Sequence, residues 1–180
     1  MSSMRDAIAA DSDQIRAIYA PFCTLSSPVS FENEQPSLEE AENRLKLIQQ
    51  AFPWLVLEEN GGIIGYAHGA VYQARAAFAW DVSVSIYLAR EYRGKKLSKK
   101  LYAELFSLLR KQGYFNAYAT IALPNVEAVA LHKSMGFVEV GNLPKGMHKG
   151  GKWYDIGLFW LQLQEYQDAP ALPKKYLEMA

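Results

Sequence analysis

One cysteine, Cys23, stands among 180 residues. A disulfide framework and a multi-cysteine zinc site are both excluded by that count, and a lone thiol suits the reducing cytoplasm. His68 and His148 have no partners at metal-ligand spacing, so no metal site is expected. No run of about 18 apolar residues is present, so no membrane-spanning helix is expected. The first ten residues carry Arg5 and Asp6 and lack an apolar stretch with a small-residue cleavage site, so they do not read as a signal peptide. Charge of one sign is missing too. With 19 basic and 19 acidic side chains the chain carries no net charge, which argues against a generally basic nucleic-acid binder. Repeats, low-complexity tracts and glycine/serine linkers are also absent.

What is there is apolar and aromatic: 50% and 13% of the residues. A chain of this length buries most of its apolar surface and needs no staple. The reading is one domain over 1–165. The polar segment 166–180, with Pro170 and Pro173, is expected to be a tail outside the fold.

The periodicity alternates between strand and helix. Arg5–Ala9 reads as a short strand, and Asp11 or Ser12 as the cap of a helix carrying Ile15, Ile18, Tyr19 and Phe22. Ser37-Leu38-Glu39-Glu40 has capping-box form, opening a helix with Leu38, Ala41, Leu45 and Ile48 on one face that Phe52-Pro53 stops. Asn60-Gly61 joins strands Trp54–Glu58 and Ile63–Val71. From Asp81, Val82, Val84, Ile86 and Leu88 share one face, while Asp81, Ser83, Ser85 and Tyr87 share the other. A helix over Lys96–Gln112 buries Leu97, Leu101, Leu105 and Leu108 and stops at Gly113. Strand Ala117–Ala122, helix Asn125–Met135 and strands Phe137–Gly141 and Trp153–Leu163 complete the order β-α-α-β-β-β-α-β-α-β-β. That order specifies an α/β (α+β) layered domain, a mixed sheet flanked by helices on both faces.

Charge is concentrated where chemistry could be. Arg90–Lys111 holds eight basic residues against two acidic ones, a local excess of six. Within it, Arg93-Gly94-Lys95-Lys96-Leu97-Ser98 joins a strand to the first turn of a helix. Cations there oppose the helix dipole, whereas free backbone amides favour an anion. The run is therefore either a phosphate site or a solvated lysine face. It is neither a Walker loop nor a dinucleotide-binding glycine fingerprint. Arg75 lies among Tyr72, Phe78 and Trp80, where it can fork onto a ligand oxyanion or stack on a ring. His132 is either a proton-exchanging group near neutral pH or a packed histidine. Cys23 reads as a small buried thiol or as a nucleophile.

The element order and the Arg93–Ser98 loop resemble the GNAT acyltransferase superfamily. The resemblance is to its phosphinothricin and methionine-sulfoximine acetyltransferase branch, from about Met4 to Leu163. It rests on Ser27-Pro28-Val29-Ser30-Phe31, Phe52-Pro53-Trp54-Leu55-Val56, Gln73-Ala74-Arg75, Ile121-Ala122-Leu123-Pro124-Asn125, His132 with Gly136-Phe137, and Gly151-Lys152-Trp153-Tyr154-Asp155. The resemblance implies an acetyl-CoA-dependent N-acetyltransferase, a homodimer, acting on the α-amine of a small amino acid or analogue by direct attack on the thioester. It implies that the backbone of Ile86, Tyr87 and Leu88 pairs with the pantetheine arm. The amides of Arg93, Gly94, Lys95, Lys96, Leu97 and Ser98 would hold the pyrophosphate, with Asn125 and Lys133 beside the cofactor and His132 near the sulfur. Arg75 would hold the acidic end of the substrate, in a pocket walled by Val29, Phe31 and Phe78 over Ser83 and Ser85.

Two positions depart from the family pattern. The loop usually reads Gln/Arg-x-x-Gly-x-Gly/Ala, and here Lys96 and Ser98 occupy the fourth and sixth places. The branch usually carries a glutamate base four residues before the strand tyrosine, and here that place is Ser83. A serine hydroxyl cannot take a proton at neutral pH. Asp81, two residues earlier and about 6.5–7 Å along the strand, is the expected substitute, with His132 through a water, or Tyr87, as alternatives. A variant of the reading is an acyl-CoA-binding protein of the same fold with weak catalysis.

Overall fold

A computed structural model describes residues 2–179. The element order is the expected one: β1 (Ser3–Asp6), α1 (Ser12–Tyr19), α2 (Leu38–Gln49), β2 (Trp54–Glu59), β3 (Gly62–Val71), β4 (Asp81–Leu88), α3 (Leu97–Gln112), β5 (Asn116–Leu123), α4 (Val126–Ser134), β6 (Val138–Lys149) and β7 (Lys152–Gln162). The seven strands form one mixed sheet in the order β1-β2-β3-β4-β5-β7-β6. Every neighbouring pair is antiparallel except β4 and β5. Those two run parallel and pair only from Asp81–Ser83 to Asn116–Tyr118. Beyond Ser83 they part, while β4 stays paired with β3 as far as Leu88. The backbone of Val84–Leu88 therefore has no strand partner along one edge in the middle of the sheet.

Alternation divides the core into two layers. Leu55, Ala67, Val82 and Val84 point to one face and pack with Leu101, Tyr102, Leu105, Phe106 and Leu109 of α3. Trp54, Val56 and Tyr66 point to the other, where Ile15 and Ile18 of α1 and Leu45 of α2 cover them. The stripe on α3 is wider than the leucine spacing predicts. Tyr102, Phe106 and Leu109 are buried with Leu101 and Leu105, whereas Leu97 and Leu108 are only partly covered.

Local signals formed as read in several places. Glu40 N–H donates to Ser37 Oγ at 3.1 Å and Ser37 N–H to Glu40 Oε2 at 2.7 Å, completing the capping box of α2. Asn60 and Gly61 both take positive φ, 52° and 79°, as a two-residue hairpin requires. Two readings change. Asp11 does not cap α1 with its side chain, and neither does Ser12, whose hydroxyl is buried without a partner. The Asp11 carboxylate instead takes the Ile8 N–H at 2.7 Å and both guanidinium nitrogens of Arg5, which also reaches Glu58. A carboxylate offered a bidentate cation gains more from it than from one amide.

The second change concerns the segment 166–180, expected outside the fold. Its backbone docks along the domain: Lys174 N–H donates to the Gln112 carbonyl at 2.8 Å and Tyr176 N–H to Ala51. Gln112, buried at the end of α3, returns a bond to the Lys174 carbonyl, and Trp80 Nε1 donates to Ala171. Polar composition was a poor guide because the contact runs largely through main-chain groups, joined by the Tyr176 hydroxyl donating to Asp6 and the Tyr166 hydroxyl donating to Asn116. The outermost residues of the two expected spans, Met1 and Ala180, lie outside the described residues.

Candidate active site

The parted strands open into a cavity of about 530 Å³. Ile86, Tyr87 and Leu88 of β4 form one side, and Ala128, Leu131 and His132 of α4 the other. Arg93, Gly94, Lys96, Ser98 and Lys99 close the outer end, and Phe22 and Val29, from the α1–α2 connection, bound the mouth. A larger, shallower groove of about 840 Å³ adjoins it, sharing Phe22, Val29, Arg93 and Glu127.

The loop before α3 is shaped for an anion. Gly94 has φ +75° and open space where a side chain would be, so backbone can be approached closely there. Lys96 is the N-cap residue of α3 in the left-handed region, φ 61° and ψ 9°, and its side chain makes no cap bond. The first-turn amides of α3 thus have no capping side chain over them and face a ring of cations. The left-handed backbone explains why glycine is common at this place: for lysine the conformation costs about 1–2 kcal/mol. The substitution strains the loop rather than filling it. Arg93 is turned inward, with Nε donating to the Leu88 carbonyl at 3.3 Å and the guanidinium stacked 4.9 Å above Phe22. Lys95 leans over Tyr92, 4.8 Å from its ring, and like Leu97 and the exposed Lys133 does not line the cavity.

A family profile described as an acetyltransferase (GNAT) domain matches residues 4–158. The chain belongs to the GNAT acetyltransferase family. A phosphinothricin N-acetyltransferase of Streptomyces viridochromogenes is 32% identical over 171 residues, covering 95% of this chain and 91% of that one. An L-methionine sulfoximine/L-methionine sulfone acetyltransferase of Pseudomonas aeruginosa is 30% identical over 174 residues, covering 94% and 99%. Among solved structures, a GNAT phosphinothricin acetyltransferase from Sinorhizobium meliloti in complex with AcCoA superposes with TM-score 0.87 at 30% identity, covering 97% of this chain and 98% of that one.

In this acetyltransferase the expected site residues fall into two groups. Val29, Ile86, Tyr87, Leu88, Arg93, Gly94, Lys96, Ser98, Asn125 and His132 come together around the cavity. Asn125 is fixed by its Oδ1, which accepts the Ala128 N–H at 3.1 Å and caps α4, leaving its amide hydrogens to the cavity. Arg75, Phe31, Phe78, Ser83, Ser85 and Asp81 do not line it. Arg75 is exposed at the β3–β4 connection, at the start of a short turn that carries Phe78. Asp81 lies at the opposite end of β4 from Ile86, about 16 Å away at strand rise. Its Oδ1 accepts Asn116 Nδ2 at 2.8 Å, and burial raises its pKa. The expected substitute base is thus held away from the cavity.

His132 is also committed. A carbonyl can only accept, so Nδ1–H donates to Ala128 O at 2.7 Å, and Nε2 must then accept from the Tyr102 hydroxyl at 2.9 Å. Burial lowers its pKa, so the ring is neutral and has no lone pair left for a substrate proton. It ties α4 to α3 as a packed histidine. Tyr87 packs against Tyr19, Phe22 and Tyr66, and burial holds its pKa well above the usual phenol value. It keeps its proton and can donate a hydrogen bond, but it is no base. Sequence reasoning missed Phe22, Lys99 and Glu127 as lining residues. Phe22 was read only as helix packing. Glu127 follows Asn125 by two residues, and that local signal was available.

Proposed function

We propose that this acetyltransferase moves an acetyl group from acetyl-CoA to the amine of a small amino acid or analogue. The observation that carries the reading is the backbone edge of Val84–Leu88 that has no strand partner, opening into a cavity that ends on the amides and lysines before α3. The residues present fit the cosubstrate: amides and cations suit a pyrophosphate, a half-apolar channel suits a pantetheine arm, and strand amides suit the thioester oxygen. The bound cosubstrate supplies the activated acetyl group and a thiolate leaving group. The chain supplies position: β4 N–H groups aimed at developing negative charge, and Tyr87 as a neutral hydrogen-bond donor in the same cavity. Ser98, small and at the first turn of α3, leaves that turn open.

Acceptors of the phosphinothricin and methionine sulfoximine type are favoured by the relatives' activities. Acetyl-CoA titration by calorimetry, combined with thiol release in the presence of phosphinothricin or methionine sulfoximine, tests the reading. Saturable turnover with either supports it. Binding without turnover of any amine supports instead an acyl-CoA-binding protein with weak catalysis, which the diversion of Asp81 and His132 favours.

The same reading includes a homodimer. Val138, Val140 and Leu143 of β6 and Trp153 of β7 are 49%, 55%, 49% and 62% exposed at one end of the sheet. Sedimentation velocity of the wild type against Val140→Lys reads it out, with a dimer converted to monomer as the expected result. A cytoplasmic setting accords with a free, buried Cys23. No helix among the described residues is long and apolar enough to cross a membrane.

A further inference from the structure

β4 has a second row beside the cavity. Ser83, Ser85 and Tyr87 point to the face that α1 and α2 cover, and their partners across β3 are Ala70, His68 and Tyr66. Directly opposed residues in an antiparallel pair share a face at about 4.5–5.5 Å, so His68 has the small Ser85 as its neighbour on β4, two residues from the cavity-lining Tyr87, although neither His68 nor Ser85 itself lines the cavity. The ring is held flat against Trp54 of β2, centroids 4.1 Å apart and planes 22° apart. Its Nδ1 is 3.1 Å from the Gly69 carbonyl, which can only accept, so Nδ1 carries the hydrogen and Nε2 carries the lone pair. Nε2 has no partner among the described residues and is not sealed in the interior.

We propose that His68 accepts the proton that the acceptor nitrogen sheds as it attacks the thioester. The proposal rests on the N-acetylation reading and names its missing base. The other candidates are spent: Asp81 on Asn116, His132 on Tyr102 and Ala128, while Tyr87 is a donor and position 83 holds a serine. The amine arrives neutral, its ammonium proton lost to solvent. Its lone pair forms the C–N bond, which makes the remaining N–H acidic, and that proton passes to His68 Nε2 directly or through one water. The C–S bond breaks with its electron pair on sulfur, and the thiolate takes up a proton from the imidazolium. Products are the N-acetyl compound and free thiol, with His68 neutral again.

The groups around the ring keep it ready. Trp54 and Tyr66 are uncharged, Ser85 is neutral, and the nearby Arg44 of α2 is a cation paired with Glu32 at 2.7 Å. Burial, with Arg44 opposing a second positive charge, lowers the His68 pKa to about 4. The ring is then unprotonated throughout the physiological range, and a base that weak serves a nitrogen already acidified by bond formation.

His68→Gln and His68→Phe test it, the second keeping the ring on Trp54. Both are expected to lower kcat at saturating acetyl-CoA by about 100-fold or more, with acetyl-CoA Kd within about threefold of wild type and the melting transition preserved. Adding Ser83→Glu to His68→Gln is expected to restore turnover by returning a carboxylate to the acceptor face. In wild type, the rate corrected for neutral amine should stay level down to about pH 4. Turnover of both single variants within about threefold of wild type overturns the proposal. A wild type that binds acetyl-CoA but acetylates no amine overturns the proposal together with the reading beneath it. That failure is visible in the unmutated protein.

Discussion

The two faces of the central sheet are built by different means. On the α3 side, large apolar side chains meet in one continuous layer, with Leu101, Tyr102, Leu105 and Leu109 at 0% exposure. The layer supports α3 and α4, and hence the cationic end of the cavity. On the α1–α2 side the apolar cluster is smaller, and the connection between the helices is held by polar ties. The Lys149 ammonium, 2% exposed, donates to the carbonyls of Ser30 at 2.7 Å and Phe22 at 3.2 Å. Next to it a Cβ at Gly150 would overlap the Leu25 carbonyl, so the β6–β7 turn is pressed against that connection. One face is held by area removed from water, the other by a few directional bonds. The first suits a fixed cofactor end; the second suits a wall over the acceptor.

Substitutions can set those two kinds of support against each other. The largest effect is expected from Leu105→Ala. Truncating a fully buried leucine in the α3 layer should cost about 2–5 kcal/mol in urea unfolding, because the transfer loss is joined by a cavity. Lys149→Met comes next, at about 1–3 kcal/mol, since it strands two carbonyls that the ammonium satisfied. Its sharper signature is kinetic: KM for the amine should rise while acetyl-CoA affinity is kept. Equal loss of both would erase the distinction between the faces. Lys96→Gly works in the other direction. Relief of the left-handed strain, less the flexibility of glycine, should raise stability by about 0.5–1 kcal/mol, read as a higher melting temperature.

The smallest effect is the part of the pH dependence that His132 supplies. The folded protein holds His132 below its ordinary value of 6.5, so unfolded chains bind a proton in a range where the fold does not. Stability is therefore complete above about pH 6.5 and falls as pH drops below it. The melting temperature should decline from pH 7 to pH 5. His132→Phe should make that decline shallower without abolishing it, because His68, whose pKa is lowered to about 4, sheds stability over the same range. An unchanged slope would mean that the Tyr102–His132–Ala128 chain tolerates a second ring proton.

Much of the fold was legible because its signals are local. The capping box at Ser37–Glu40, the Asn60-Gly61 turn and the alternation along β4 each concern neighbours a few residues apart, and each formed as read. The cationic end of the cavity was legible for the same reason, being a single strand–loop–helix joint. The partners of the polar side chains were not. Asp81 looked like a base at strand spacing, but Asn116 of β5 takes its carboxylate. His132 read as either a proton-exchanging group or a packed histidine, and Tyr102, thirty positions away, decides it by taking its lone pair. Lys149 carried no local signal, and His68 read as a histidine without metal partners. Partnerships across such distances leave no mark on the sequence around either residue.

The sequence by itself determined which elements form, in what order, and where positive charge gathers, because hydrophobic period, caps and turns act within a few residues. Only the tertiary structure decided which polar groups remain available for chemistry. A donor or acceptor is spent once a partner reaches it, and in this chain the partners come from other strands and helices. By that selection His132 became a packed histidine and Asp81 an anchor for Asn116, while His68, set on β3 opposite a serine, kept a free nitrogen.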